Sequence, residues 1–323
     1  MIAALAPNPS IDRFFLVADQ VRVGAIHRPS ELIAVAGGKG LNVARAASAL
    51  GGDVRAIALL AGHAGRWIAD ELLDNAIRAD VVWTTGETRS SLTAADPESG
   101  RPTEFYERGE STDPAAWERF AERVSALSGA SWASISGSLP QGIPAKASAD
   151  LVERARSTGA RVAVDQAGAV LSAALNAAPD LVKVNRVEAR ELSGQEEPRA
   201  AALALHERLT ARRDALGLDA PATVVTAGED GAYLIAPDGR LFRGSLDVRG
   251  PFPNGSGDSF LGGLLVALDG GADALLDASE RWQAALPLAL GAATANAERA
   301  GAGRLDPRRA RTLAAQASVQ LLS

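Results

Sequence analysis

Residues 180–191, DLVKVNRVEARE, change their pattern in mid-stretch. The run from Leu181 to Val184 is apolar apart from Lys183, as expected of a strand buried on both faces. From Asn185 onward the pattern turns helical. Asn185 and Glu188 stand three apart, which puts an amide and a carboxylate on one face of a first helical turn. Working outward, the apolar runs MIAALA (1–6), VRAIALLA (54–61), WASISG (132–137), RVAVD (161–165) and ATVVTAG (222–228) repeat the strand half. The alanine-rich amphipathic stretches GLNVARAASALGG (40–52), DPAAWERFAERVSAL (113–127) and EPRAAALALHERLTARRDAL (197–216) repeat the helical half. Strands and helices in alternation predict an α/β fold: a mostly parallel central sheet with helices on both faces.

Two segments break the alternation, at about 13–35 (FFLVADQVRVGAIHRPSEL) and 88–108 (TRSSLTAADPESGRPTEFYER). Each alternates polar with apolar residues and carries turn signals, so both are predicted as antiparallel strands outside the main sheet. A small two-part β lid over the active site accounts for them. No repeat or low-complexity tail is present, and SGQEEPRAA (193–201) is the most linker-like stretch; residues 1–323 are expected to form one domain with the lid inserted.

A chain of 323 residues, 47% hydrophobic, can bury one large α/β core. No apolar run approaches the roughly 18 residues of a membrane span, and MIAALAPNP has neither the basic start nor the length of a signal peptide, so a soluble cytoplasmic protein is expected. The absence of cysteine excludes disulfides, thiolate zinc and a cysteine nucleophile. A net charge of −6 argues against a nucleic-acid partner, so an anionic ligand needs a local positive site. Positive charge is almost all arginine, with lysine only at Lys39, Lys146 and Lys183. Two of those three fall in stretches that attract attention on other grounds.

In such a sheet, ligands bind beyond the strand ends. Asp12 follows the first strand, where its carboxylate can cap a turn or accept hydrogen bonds from sugar hydroxyls. AGGKGLNVA (36–44) places Gly38, Lys39 and Asn42 at a loop-to-helix junction, but Ile33 and Gly40 stand where a Walker loop needs glycine and a hydroxyl residue. SISGSLPQGIP (134–144) ends a strand at Gly137 and Ser138. PFPNGSGDSFLGG (251–263) opens a helix with Gly255, Ser256 and Gly257, small enough for an anion to reach backbone N–H groups. Asp258 follows. A carboxylate there either caps the helix or, beside a bound phosphate, takes a proton.

The ordered set GGKGLNVARAASALGG, SGSLPQGIP, VKVNRVEA, VVTAGEDGAYL and NGSGDSFLGGLL resembles the successive motifs of the ribokinase-like (PfkB) carbohydrate kinases, from NPSID near the start to RAGAGRLDP near the end. Within that family NPSID, GGKG, ETRSS and TEFYERG are most similar to kinases of phosphorylated ketohexoses, of the 1-phosphofructokinase and tagatose-6-phosphate kinase kind. The resemblance implies a ribokinase-like sandwich with a β lid, ATP and Mg²⁺ as cosubstrates, and γ-phosphoryl transfer to a sugar hydroxyl. It implies Asp258 as catalytic base, with Gly255, Ser256 and Gly257 as anion hole. Asn185 and Glu188 would organise Mg²⁺ through water, and Lys183, Asn185, Thr226, Gly228 and Gly231 would contact the nucleotide. Asn296 and the GAG at 301–303 would fall at the adenine pocket. Asp12, Gly38, Lys39, Asn42 and Ser138 match the sugar side, and Arg28, Arg89 and Lys39 would converge on a phosphate of the acceptor if the lid closes.

Two departures from the family pattern stand out. Phe252-Pro253-Asn254 precede Gly255 where the family writes Thr or Ser and then Val, and Ser90-Ser91 follow Arg89 where Ile-Asn is common. Alternatives are a kinase of unphosphorylated sugars or nucleosides, and a non-catalytic binder of sugar phosphates. Lid strands with an apolar face such as FFLV (14–17) favour pairing into a homodimer.

Overall fold

The computed structural model describes residues 1–17, 21–95, 102–270 and 277–323. The chain opens with β1 (Ile2–Ala6), continues through β2 (Ser10–Leu16) and β3 (Glu31–Gly37), and enters α1 (Lys39–Ala49), β4 (Val54–Ala61), α2 (Gly62–Asp74) and β5 (Arg78–Thr84). Next come β6 (Ser90–Ala95) and β7 (Thr103–Tyr106), followed by α3 (Pro114–Ser125), β8 (Trp132–Ser136), α4 (Ala147–Ser157), β9 (Arg161–Asp165), α5 (Gly168–Asn176) and β10 (Leu181–Asn185). After α6 (Arg186–Ser193), α7 (Pro198–Asp214) and β11 (Ala222–Thr226), the chain forms β12 (Ala232–Ile235), β13 (Leu241–Ser245), α8 (Ser256–Asp269), α9 (Ala278–Ala297), α10 (Pro307–Ala314) and β14 (Ser318–Leu321).

Among the described residues, ten strands form one sheet in the order β14-β13-β12-β11-β10-β9-β8-β1-β4-β5. The seven strands from β11 to β5 are parallel, and β12 to β14 extend the sheet antiparallel. Alternate residues of β1 enter two separate cores, as a strand's period of two requires. Ile2, Ala4 and Ala6 pack beneath α1, α2, α8 and α9, while Ala3 and Leu5 pack beneath α3, α4, α5 and α7. The chain builds from β1 through β4 to β5, then returns to the other side of β1 with β8. That reversal opens the crevice in which such sheets hold ligands.

The six expected strands are present. Beyond them stand β5 and β14 at the two edges of the sheet, with β12 and β13 between β14 and β11. The small sheet, ordered β3-β2-β6-β7, comes from the two expected insertions, of which residues 18–20 and 96–101 lie outside the described residues. Each insertion pairs antiparallel within itself, as expected, but β2 and β6 join the halves by a parallel pairing from Ile11↔Ser90 to Leu16↔Ala95. The reason is directional: β2 leaves the sheet after β1 and β6 after β5, both from the same end, so they run the same way.

Cross-strand register divides the faces of this sheet. One face carries Phe14, Val35, Asp12, Ser91, Glu104 and Tyr106; the other carries Phe15, Leu32, Ala34, Leu92 and Phe105. Phe14 and Val35 anchor the first face by packing on Ala302.

Candidate active site

The ends of β1, β8, β9 and β10 and the starts of α1, α6 and α8 surround a cavity of about 1690 Å³ beside the small sheet. Asp12, Gly38, Lys39, Asn42, Arg89, Ser138, Lys183, Asn185, Glu188, Thr226, Gly228, Gly231 and Gly255 to Asp258 all line it. Sixteen residues scattered over the sequence therefore share one crevice.

Behind its lining, between Lys39 and Lys183, lies a carboxylate that the sequence reading passed over. Asp165 ends β9, is fully buried, and accepts from Lys39 Nζ at 2.8 Å on one oxygen and from Lys183 Nζ at 2.7 Å on the other. Burial pushes its pKa upward, but the two ammonium groups outweigh burial and hold it at about 2. For Lys39, burial works against the charge, yet Asp165, Asp258 and Glu188 hold its pKa well above the ordinary range. The signal was available: RVAVD ends on a carboxylate at a strand end, the same feature that drew attention to Asp12.

Asp258 lies in the first turn of α8, 6% exposed. Asn42 Nδ2 donates to its Oδ2 at 2.8 Å. Burial raises its pKa first and the Asp165 charge raises it further; Lys39, Lys183 and Asn42 oppose them, leaving it at about 6. The N-cap of α8 is Gly255, in left-handed conformation, so no side chain caps the helix and its first turn is open to an anion. Gly257 has a further reason to be glycine, because a Cβ there would lie 2.7 Å from Lys183 Nζ. Lys183 thus reaches from Asp165 to the helix start.

Asp12 faces the cavity from β2. It accepts from Ser91 Oγ at 2.6 Å and from the Gly38 N–H at 3.2 Å, with Ser10 Oγ on the same oxygen as Ser91. The departure at Ser91 therefore supplies a hydroxyl that holds Asp12. Arg89 Nη2 donates to Asn8 O at 3.2 Å, Asn8 in turn donates to Ser138 Oγ at 2.9 Å, and Arg89 Nε is buried without a partner. Burial pulls the Arg89 pKa down, against Asp12, Tyr106 and Glu107. The second departure is also engaged: Asn254 Nδ2 donates to Glu104 of β7, which accepts from Tyr106 Oη at 3.0 Å as well. The small sheet and the loop before α8 are joined by that contact.

Two expectations need correction. Arg28 is exposed in the connection between β2 and β3 and does not line the cavity, so only Arg89 and Lys39 of the three expected cations reach it. Arg28 lies just before β3, whose even positions Leu32 and Ala34 share the face turned away from the cavity. Asn296 is fully buried behind the cavity wall. Its Nδ2 donates to Asn254 O at 2.8 Å and Ser256 Oγ at 3.2 Å, and its Oδ1 accepts from Gly303 N at 2.8 Å. It ties the glycine loop to the GAG turn and presents no polar atom to a nucleotide.

Asn185 and Glu188 meet as their spacing predicts, and they form a capping box that the sequence reading did not identify. Asn185 Oδ1 accepts from the N–H groups of Val187 and Glu188, both at 2.9 Å, and Glu188 Oε2 accepts from Asn185 N at 2.9 Å. Glu188 Oε1 stays outside the box, 3.5 Å from Lys39 Nζ. Opposite them, Thr226 ends β11, followed by Gly228 and Gly231, which close the turn into β12.

The sequence and the fold have known relatives. Residues 8–309 match the family model described as pfkB family carbohydrate kinase. A 1-phosphofructokinase of Haloferax volcanii is 34% identical over 281 residues, 85% of this chain and 87% of that protein. The crystal structure of phosphofructokinase-2 from Escherichia coli in complex with substrates and products superposes with a TM-score of 0.85 at 25% identity, covering 97% of this chain and 98% of the other. The tetrameric inhibited form of that enzyme gives 0.83 at 24% identity over the same shares. The chain therefore belongs to the pfkB family of carbohydrate kinases and is an ATP-dependent sugar kinase.

Proposed function

We propose that the enzyme transfers the γ-phosphoryl group of ATP to a hydroxyl of a phosphorylated ketohexose: fructose 1-phosphate, fructose 6-phosphate or tagatose 6-phosphate. The observation that carries this reading is Asp258, buried at the open start of α8 with a pKa of about 6. A carboxylate at that value is ionised at neutral pH yet basic enough to accept a proton, which suits a general base. Asp258 takes the acceptor's hydroxyl proton as the oxygen attacks the γ-phosphorus and the β–γ bridging bond breaks, releasing ADP. In the anion hole of Gly255, Ser256 and Gly257, the N–H groups of Gly255 and Gly257 and the ammonium of Lys183 stabilise the transferring phosphoryl group. The Ser256 N–H holds the loop by donating to Pro253 O at 3.1 Å. Asp12 accepts hydrogen bonds from sugar hydroxyls, with Gly38, Lys39, Asn42 and Ser138 around it. Arg89 meets the acceptor's own phosphate, and its place in the cavity lining beside Asp12 supports that assignment.

Thr226, Gly228 and Gly231 line the nucleotide end. Members of this family use ATP, usually with Mg²⁺, which would neutralise charge on the phosphates when bound. The ion would arrive on the nucleotide phosphates and be held through water by Asn185 and by Glu188, whose Oε1 pairs with Lys39 Nζ at 3.5 Å. The apolar second face of the small sheet supports pairing with a second copy of the chain.

The deciding experiment compares kcat/KM for the three phosphosugars with that for fructose and ribose. Preference for a phosphosugar is expected; better turnover of an unphosphorylated sugar would overturn the assignment.

A further inference from the structure

We propose that Arg45 is a positioning residue for Asp258, acting through the side-chain amide of Asn42. The proposal rests on the reading of Asp258 as general base. Arg45 lies in α1 one turn after Asn42, and both are buried. Its Nη1 donates to Ala302 O at 3.0 Å and approaches Asn42 Oδ1 at 3.5 Å, while its Nη2 donates to Ala36 O and to Glu71 Oε2, the latter at 3.4 Å. On its other side the same Asn42 amide donates to Asp258 Oδ2 at 2.8 Å.

The chemistry of the three groups leaves one orientation. A guanidinium has only donors, an ionised carboxylate only acceptors, and an amide one end of each kind. With Oδ1 toward Arg45 and Nδ2 toward Asp258, both contacts are attractive. Turned over, the amide would set oxygen against carboxylate and NH₂ against guanidinium. At 3.5 Å the Arg45 contact is at the outer limit of a hydrogen bond, so it holds the amide chiefly by charge. The site is otherwise crowded with charge: Glu71 from α2, Asp12 from β2 and Arg304 face Arg45, and Asp165, Lys39 and Lys183 face Asp258. Burial lowers the Arg45 pKa, with Glu71 as the main counterweight. Through Ala302 and Ala36 the same guanidinium touches the GAG turn and the end of β3, linking the base to two walls of the cavity.

The test is the carboxyl titration of Asp258, followed by NMR of protein labelled at the aspartate side-chain carboxyl carbon and assigned by loss of the signal in Asp258→Asn. Arg45→Met should move the titration upward by about one pH unit, because the ionised form loses its ordered donor. Asn42→Leu should give the same shift. The double variant should move no further, as expected of two residues acting in series. Arg45→Lys should restore the wild-type titration when Asn42 is present and change nothing in the Asn42→Leu background. Where Arg45→Met fails to fold, Arg45→Gln replaces it, since its amide can still donate to Ala302 O. An unmoved titration, or shifts that add in the double variant, would overturn the proposal. The titration needs neither acceptor nor nucleotide, so it stands apart from the choice of sugar. If the carboxyl shifts while the acidic limb of kcat/KM stays put, the proposal survives and the assignment of Asp258 as base does not.

Discussion

At Asp258, burial and the neighbouring Asp165 charge raise the carboxyl while two ammonium groups and one amide lower it, and the balance at about 6 decides how the enzyme should respond to acid. A general base works ionised, so kcat/KM should hold above neutrality and fall as pH drops through about 6. Asp258→Asn removes the proton acceptor at nearly constant shape, and kcat should fall by roughly two to four orders of magnitude with nucleotide and sugar still binding. Near-normal turnover in that variant would rule out the base assignment. Asp165→Asn tests the balance itself: with the like charge gone and both lysines left unneutralised, Asp258 should titrate lower. The acidic limb of its pH profile should move below the wild-type position. A limb that stayed in place or moved upward would show that Asp165 does not act on Asp258 through charge. These couplings were only partly legible beforehand. Motif spacing located Lys39, Asn42, Lys183 and Asp258, but nothing in the spacing says that Asp165 lies between two lysines whose positions differ by 144 residues (183 − 39).

Elements were more legible than contacts, because a period of two or of 3.6 is written locally. Every strand and helix named from apolar runs and amphipathic stretches is present to within a few residues. What the pattern could not show is how closely the elements approach. Gly40, inside α1, is the clearest case: a Cβ there would lie 2.2 Å from Leu5 O and 2.8 Å from Ala6 Cα in β1. Alanine favours a helix over glycine by up to about 1 kcal/mol, but an overlap with the backbone of a central strand costs about 1–3 kcal/mol or more. Gly40→Ala should therefore destabilise the protein by about 2 kcal/mol, read as a lower urea midpoint at unchanged m. A stabilised variant would mean that α1 can lift from β1 without loss. Because Lys39 and Asn42 flank this contact, the close packing also fixes where the site's cation and amide point.

For the molecule as a whole, the open question is what covers the second face of the small sheet. One face is committed to the cavity through Asp12, Ser91 and Tyr106. The opposite face carries Leu32 and Phe105, exposed by 57% and 59%, in register with Phe15, Ala34 and Leu92. Arg13, Ser90 and Thr103 interrupt that face, but its exposed Leu32 and Phe105 leave apolar area uncovered, the mark of a surface that packs against a partner. A second copy is the simplest occupant, since a self-complementary patch closes on itself by a twofold axis. Sedimentation equilibrium of the wild type should therefore give a dimer. Leu32→Glu combined with Phe105→Glu should give a monomer, because two carboxylates would be buried unpaired in the joint. Neither residue lines the cavity, so nucleotide binding should survive while the sugar phosphate binds more weakly, the sheet over it having lost its outer support. A monomeric wild type, or a double variant that remains dimeric, would show that this face is not the one on which copies meet.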